Sequence, residues 1–127
     1  MKLVVGGAGN GKLEYVLAVT GYKDGDVARD FEAAGAKPVF YGLQGAVKAA
    51  LERGEDPNLL MDGALAANPD VIVICDEVGS GVVPAEPAGR RYREAVGRLC
   101  CRLAAKAGRV ERVICGIPTV LKGDTAW

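Results

Sequence analysis

The first twelve residues constrain the fold more than any other part of the chain. A short apolar run, Leu3-Val4-Val5, leads into a segment with the spacing Gly, four residues, Gly, Lys at residues 6–12. This pattern predicts a strand that passes through a phosphate-binding loop into a helix. Glycine suits such a loop because a backbone without Cβ atoms can adopt positive φ and bring consecutive N–H groups close to phosphate oxygens.

We predict that this loop binds a nucleotide through its backbone and through Lys12. The lysine would reach the outer phosphates, and the N-terminus of the following helix would add favourable potential. The predicted cofactor-binding residues are Gly6, Gly7, Ala8, Gly9, Asn10, Gly11 and Lys12. The motif then calls for a Ser or Thr that holds Mg²⁺, but this chain has Leu13. The alternative is a glycine-rich turn that only connects a strand to a helix.

The strongest strand of the sequence covers residues 70–77. Its centre, Val71-Ile72-Val73-Ile74-Cys75, is a continuous apolar run that predicts burial on both faces, as in a parallel sheet. Asp76 and Glu77 follow at the carboxyl end, where open α/β sheets bind their ligands. We predict that Asp76 holds Mg²⁺ and that Glu77 acts in catalysis by orienting or deprotonating an attacking hydroxyl. The alternative is two surface acids at a strand end.

The rest of the chain alternates between strand and helix patterns. Predicted helices lie between Lys12 and Gly21 and at residues 45–53, 57–67 and 87–107, and further strands at residues 38–41 and 110–115. Residues 22–36 are interpreted as a loop with a helical turn, and residues 119–127 as a short tail. This order predicts an α/β fold in one domain over residues 1–127, with a small parallel sheet flanked by helices.

Composition argues against several functional classes. Lys plus Arg and Asp plus Glu each number 16, and no basic run is interleaved with aromatic residues, so we expect no nucleic-acid partner. No apolar run approaches the ~20 residues of a membrane span, and the chain enters a strand directly, so we expect a cytoplasmic protein without a membrane partner. The absence of histidine excludes imidazole chemistry. The cysteines form no CxxC pair and are expected to be reduced core residues: Cys75, Cys100, Cys101 and Cys115.

Residues 78–84 form an apolar, glycine-rich segment that is unusual for a plain connection. Its sequence is Val-Gly-Ser-Gly-Val-Val-Pro, which would expose several valines. Such a segment suits packing against a ligand or a neighbouring subunit. We therefore expect a homo-oligomer.

Several separate segments occur together in a specific order. They are the glycine-rich loop, the run Asp-Glu-Val-Gly-Ser-Gly-Val-Val-Pro at residues 76–84, the arginines of residues 90–93 with Gly97, Leu103-Ala104, and Gly-Ile-Pro at residues 116–118 with Leu121-Lys122. Together they resemble the bifunctional adenosylcobinamide kinase / adenosylcobinamide-phosphate guanylyltransferase family of cobalamin biosynthesis. The resemblance covers the first dozen residues and roughly the last fifty-five.

The resemblance implies a phosphate-loop NTPase-like α/β fold, an oligomer, and two reactions on a corrinoid substrate. The first reaction phosphorylates the aminopropanol hydroxyl of adenosylcobinamide, with ATP or GTP as donor and Mg²⁺ as cofactor, and the second transfers GMP onto that phosphate. The residues that match the phosphate cradle are Gly6, Gly7, Gly11 and Lys12. Glu77 matches the Glu of the family's Asn-Glu-Val-Gly segment, and Asp76 stands where that Asn would be.

The chain departs from the family pattern at places that carry chemistry. The guanylyl transfer of the family passes through a GMP-histidine intermediate, so that step is not expected in a chain without histidine. Leu13 replaces the hydroxyl, and a middle segment is missing. We therefore expect a nucleotide-binding kinase for adenosylcobinamide. The alternatives are a non-catalytic homologue that binds nucleotide or corrinoid or serves in assembly, and a kinase for another hydroxylated acceptor.

Overall fold

The computed structural model describes residues 1–78, 85–123 and 127. Its strands are β1 (Lys2–Gly6), β2 (Val27–Ala28), β3 (Val39–Tyr41), β4 (Ile72–Asp76), β5 (Arg109–Ile114) and β6 (Ile117–Lys122). Its helices are α1 (Lys12–Thr20), α2 (Phe31–Ala34), α3 (Leu43–Glu52), α4 (Pro57–Ala67) and α5 (Pro87–Lys106), with a 3₁₀ turn at Asp24–Asp26. Among these helices, none combines the length and apolar character needed to cross a membrane.

The strands form one sheet in the order β2-β3-β4-β1-β5-β6. All neighbouring pairs are parallel except β5 and β6, which are antiparallel. The central strand β1 lies between β4 and β5, and its last residue, Gly6, pairs with Asp76 of β4. The predicted α/β fold with a parallel sheet flanked by helices is confirmed, with one antiparallel strand added at the edge.

Helices cover both faces of the sheet and form two hydrophobic clusters. On one face, α2 to α5 pack over residues such as Leu3, Phe40 and Val73. On the other face, α1 packs over Val4 and Ile74. Alternate residues of the same strands enter opposite clusters, as expected for a sheet that is buried on both sides.

The prediction of a tail over residues 119–127 is wrong for its first part, because residues 117–122 form β6. The reversal depends on Cys115 and Gly116, whose φ values are 52° and 76°. Two successive residues with positive φ build the two-residue turn that suits a twisted hairpin. The usual sequence signal for this turn is Asn-Gly or Asp-Gly, so the Cys-Gly sequence did not indicate a hairpin. Residues 22–36, interpreted as a loop with a helical turn, also contain the short strand β2.

A buried polar network joins α1 to β5. The side chain of Glu111 is only 1 % exposed, and its carboxylate accepts the one hydrogen of the Tyr15 hydroxyl, whose oxygen lies 2.8 Å from Oε1 and 3.0 Å from Oε2. Arg109 Nη2 lies 3.2 Å from the same carboxylate, and the indole N–H of Trp127 donates to the Tyr15 oxygen at 2.8 Å. Burial, followed by the hydrogen bond to Glu111, raises the pKa of Tyr15 above its ordinary value.

We predict that Tyr15→Phe lowers the free energy of unfolding by about 1–3 kcal/mol, because a buried carboxylate loses a hydrogen-bond donor. Urea unfolding at pH 7, followed by far-ultraviolet circular dichroism, measures this change. The matched control is Tyr22→Phe, since the Tyr22 ring lies at the surface, and we expect a change within ~0.5 kcal/mol. Equal stability of the two variants would contradict the predicted role of the network.

Candidate nucleotide-binding site

The loop of residues 6–12 has a conformation that requires glycine. Gly9 and Gly11 adopt φ values of 75° and 82°, in the left-handed region that other residues rarely occupy. At Gly6, a Cβ atom would lie 2.4 Å from the carbonyl oxygen of Val113, so a side chain there would clash with the backbone of β5. At Gly6, Gly9 and Gly11 the loop conformation therefore explains why the sequence has glycine.

Lys12 is the first residue of α1, and its side chain turns back onto the loop. It is only 4 % exposed, and its ammonium donates to the carbonyl oxygen of Gly7 at 2.8 Å. The same ammonium forms an ion pair with Asp76 Oδ1 at 2.6 Å. A buried charge needs such partners because it has lost its contact with water. The structure thus brings the loop, Lys12 and Asp76 into direct contact.

Asp76 is fixed by its position at the end of β4. Its backbone pairs with β1 at Gly6, and its N–H donates to Gln44 Oε1, 3.0 Å away, in the first turn of α3. The Asp76 side chain remains 24 % exposed. Its carboxylate therefore faces Lys12 and still has access to solvent at the sheet edge.

The residues near Asp76 supply few ligands for Mg²⁺. Leu13, which occupies the position of the motif hydroxyl, packs against the cluster under α1. Within the described residues, no group of three or more His, Cys, Asp or Glu is arranged to hold a metal ion. Mg²⁺ commonly keeps several waters and binds through one or two carboxylates plus substrate phosphates. A site of that kind needs as little as one protein carboxylate, and the half-buried carboxylate of Asp76, which is paired with Lys12, is the nearest candidate.

Glu77 is held differently from Asp76. Its N–H donates to the carbonyl oxygen of Gly6 at 2.9 Å, which continues the pairing of β4 with β1. Its carboxylate is bound by Arg112 of β5, with 2.8 Å from Nε to Oε1 and 3.1 Å from Nη2 to Oε2. The two acids predicted to act together therefore have different cationic partners, Lys12 for Asp76 and Arg112 for Glu77.

Two contacts of this site were not found from the sequence. Arg112 lies in β5, where three charged residues, Arg109, Glu111 and Arg112, interrupt the apolar pattern, so the pattern does not single out Arg112. Gln44 carried no signal, because its role depends on the packing of α3 beside the end of β4. Both contacts join residues that are more than thirty positions apart.

The cysteines only partly match the prediction of core residues. Cys75 is buried and Cys100 is half-buried, but Cys101 and Cys115 are exposed, so the prediction is wrong for these two. Cys101 lies on the solvent side of α5, and Cys115 lies in the hairpin turn. A hydrogen bond with Cys100, followed by burial, raises the pKa of Cys75, and the same bond lowers the pKa of Cys100.

The apolar segment predicted to contact a ligand or a subunit lies mainly outside the described residues. Of residues 78–84, only Val78 is described, and it packs partly buried against the cluster under α3 and α5. Separately, four apolar side chains are exposed on the β5–β6 hairpin, namely Ile114, Ile117, Val120 and Leu121.

Comparison with known proteins assigns the larger part of this chain to a family model. Residues 45–121 match the family model described as cobinamide kinase / cobinamide phosphate guanyltransferase. That range includes Asp76, Glu77 and Arg112 but begins after the glycine-rich loop, so the assignment of the loop depends on its spacing and geometry.

Two curated relatives agree with the family model. The bifunctional adenosylcobalamin biosynthesis protein CobU of Salmonella typhimurium is 36% identical over 76 residues, which cover 58% of this chain and 42% of the relative. The protein of the same name from Escherichia coli is 38% identical over 52 residues, which cover 41% of this chain and 29% of the relative. The matched part of the chain thus spans less than half the length of either relative. Because the family model covers more than half of its residues, this chain belongs to the cobinamide kinase / cobinamide phosphate guanyltransferase family.

Proposed function

We propose that this chain binds ATP or GTP at residues 6–12 and transfers the terminal phosphoryl group to the hydroxyl of adenosylcobinamide, in cobalamin biosynthesis. The observation that carries the proposal is the contact of Lys12 with both the glycine-rich loop and Asp76. Membership of the family supports the substrate class, and two relatives are named as adenosylcobalamin biosynthesis proteins. We further propose that the protein is cytoplasmic and that it forms a homo-oligomer.

In this proposal, Lys12 exchanges partners when the nucleotide binds. A triphosphate carries more negative charge than a single carboxylate, so its oxygens compete for the ammonium with Asp76 and the Gly7 carbonyl. Lys12 then neutralises charge on the outer phosphates while the loop N–H groups orient them. Asp76, released from Lys12, would then be able to hold Mg²⁺, which would supply further charge neutralisation during phosphoryl transfer.

Glu77 is the proposed group that orients or deprotonates the acceptor hydroxyl. Because Arg112 binds both of its carboxylate oxygens, Glu77 has to loosen this ion pair before it can accept a proton. Arg112 is then free to interact with a phosphate oxygen. The histidine-dependent guanylyl transfer is not part of the proposal, since these 127 residues contain no histidine.

A second candidate is a homologue that binds nucleotide or corrinoid, or acts in assembly, without turnover. Leu13, which packs against the cluster under α1, favours it, because the hydroxyl that normally helps to hold Mg²⁺ is absent. The exposed apolar side chains of the hairpin favour an assembly role. A kinase that acts on another hydroxylated acceptor is the third candidate.

Phosphoryl transfer from ATP to adenosylcobinamide, compared with a Lys12→Ala control, distinguishes these candidates. We expect transfer above the control by the wild-type chain, and reduced transfer with unchanged nucleotide affinity in Glu77→Gln. Nucleotide binding without transfer to any acceptor would favour the non-catalytic candidate. Transfer only to other hydroxylated compounds would favour the third candidate.

We predict that Lys12→Ala weakens binding of ATP and GTP at least tenfold, a loss of about 1.4 kcal/mol or more, because a charge-assisted contact to the phosphates disappears. Isothermal titration calorimetry measures both affinities. The matched control is Lys48→Ala on the exposed side of α3, which should bind as the wild-type chain does. If Lys12→Ala also bound with wild-type affinity, the loop would not be a phosphate site.

We predict that Asp76→Asn removes the gain in ATP affinity that Mg²⁺ provides, whereas binding without Mg²⁺ is equal or tighter. The reason is that Asn is a poorer Mg²⁺ ligand and no longer holds Lys12 in an ion pair. Calorimetric titrations with and without Mg²⁺ measure this difference. Asp70→Asn, an exposed site before β4, is the control and should keep the full Mg²⁺ effect. A full Mg²⁺ effect in Asp76→Asn would remove Asp76 from the proposed metal site.

A further inference from the structure

The turn between β5 and β6 is bonded to the phosphate loop through a single residue. The side-chain oxygen of Asn10, Oδ1, accepts the N–H of Cys115 at 3.1 Å. The backbone oxygen of Asn10 accepts the N–H of Gly116 at 2.8 Å. Asn10 thus satisfies both consecutive donors of the turn.

The backbone of the turn is shaped for this contact. Cys115 adopts a φ of 52°, which is uncommon for a residue with a Cβ atom, and Gly116 follows with a φ of 76°. The loop also approaches the turn closely, since a Cβ atom built on Gly11 would lie 3.5 Å from the Cα atom of Gly116. The left-handed conformation of Cys115 therefore coincides with the place where the hairpin contacts the loop.

Asn10 connects this turn to the partners of Lys12. The N–H of Asn10 donates to the carbonyl oxygen of Gly7 at 3.3 Å, and that oxygen is also the acceptor for the Lys12 ammonium. The amide nitrogen of the Asn10 side chain lies over Gly7, where an added Cβ atom would be only 2.8 Å from it. The hairpin, Asn10, Gly7 and Lys12 form one continuous set of contacts.

We propose that Asn10 is a positioning residue, which holds the phosphate loop in its binding shape by fastening it to the β5–β6 turn. The motif places Asn10 among the predicted nucleotide-binding residues, and in the ligand-free chain its side-chain oxygen accepts the N–H of Cys115. Glycines give the loop access to many backbone conformations, so a loop that is already held loses less entropy when the phosphates bind. This inference rests on the proposed nucleotide-binding function.

The test combines nucleotide affinity with amide hydrogen exchange, both on the full chain. Asn10→Ala should weaken ATP binding about fivefold to tenfold, the effect of one lost hydrogen bond, with a small change in thermal midpoint. Asn58→Ala on α4 is the matched control and should bind ATP as the wild-type chain does.

The second part of the test is hydrogen exchange in the nucleotide-free protein. Asn10→Ala should speed exchange at the Cys115 amide, which loses its side-chain acceptor. Exchange at the Gly116 amide should not change, because its acceptor is the backbone oxygen of residue 10. Asn10→Asp, which keeps an acceptor oxygen, should restore slow exchange at Cys115.

Exchange with ATP present separates positioning from direct phosphate binding. If Asn10 positions the loop, protection of the Cys115 amide persists or increases when ATP binds. Loss of that protection on binding would mean that the side chain turns to the phosphates, and it would overturn the inference. Wild-type ATP affinity in Asn10→Ala would also overturn it, while leaving the proposed function intact. If the wild-type chain bound neither ATP nor GTP, the proposed function and the positioning role would both fall, and exchange at Cys115 would still decide whether the hydrogen bond exists.

Discussion

The ion pair between Lys12 and Asp76 is the interaction on which the rest of the site depends. A lysine that is 4 % exposed is costly to bury unless an opposite charge and hydrogen-bond acceptors replace the lost water. Both replacements come from the sheet edge, namely Asp76 at the end of β4 and the carbonyl of Gly7 just after β1. The parallel register that pairs Gly6 with Asp76 is therefore required to bring the Asp76 carboxylate next to the Lys12 ammonium. A shift by one residue would turn Asp76 to the other face of the sheet.

The position of β1 explains why three strands contribute to one site. Because β1 lies between β4 and β5, the loop that follows it is flanked by the acids after β4 and by the hairpin after β5. Both flanking elements form hydrogen bonds with β1 and its loop. The N–H of Glu77, after β4, donates to the carbonyl oxygen of Gly6, and the β5–β6 turn donates to Asn10. The pair of Glu77 with Arg112 then joins the two flanking strands across β1. The site is thus braced from both sides, with Lys12 on the α1 side of the sheet.

The parts of this arrangement that are local in sequence could be predicted, and the parts that depend on distant contacts could not. The glycine spacing, the buried strand before Asp76 and the alternation of elements each have a short-range cause, and they led to the correct fold class. The hairpin was missed because the positive φ of Cys115 is not a property that the residue prefers; it coincides with contacts to a loop more than a hundred positions earlier. The partners of Glu77 and of the Asp76 backbone were missed for the same reason, since nothing near Arg112 or Gln44 in the sequence indicates them. The exposure of Cys101 and Cys115 was missed because a thiol fits either a core or a surface position.

The loss of the hydroxyl after Lys12 gives Asp76 two consecutive tasks in the proposed mechanism. In the nucleotide-free chain, Asp76 is the counter-charge that allows Lys12 to be buried. With a triphosphate bound, the phosphates take over that task, and only then is the carboxylate available to a metal ion. In this mechanism Mg²⁺ would bind only after the nucleotide, because without the phosphates the Asp76 carboxylate stays paired with Lys12. In a loop with Ser or Thr after the lysine, one metal ligand is present from the start. Here the half-buried Leu13 packs against the cluster under α1, and in the proposed mechanism metal binding would depend on the movement of Lys12. In the proposed mechanism, the leucine that weakens the motif would thereby make metal binding depend on nucleotide binding.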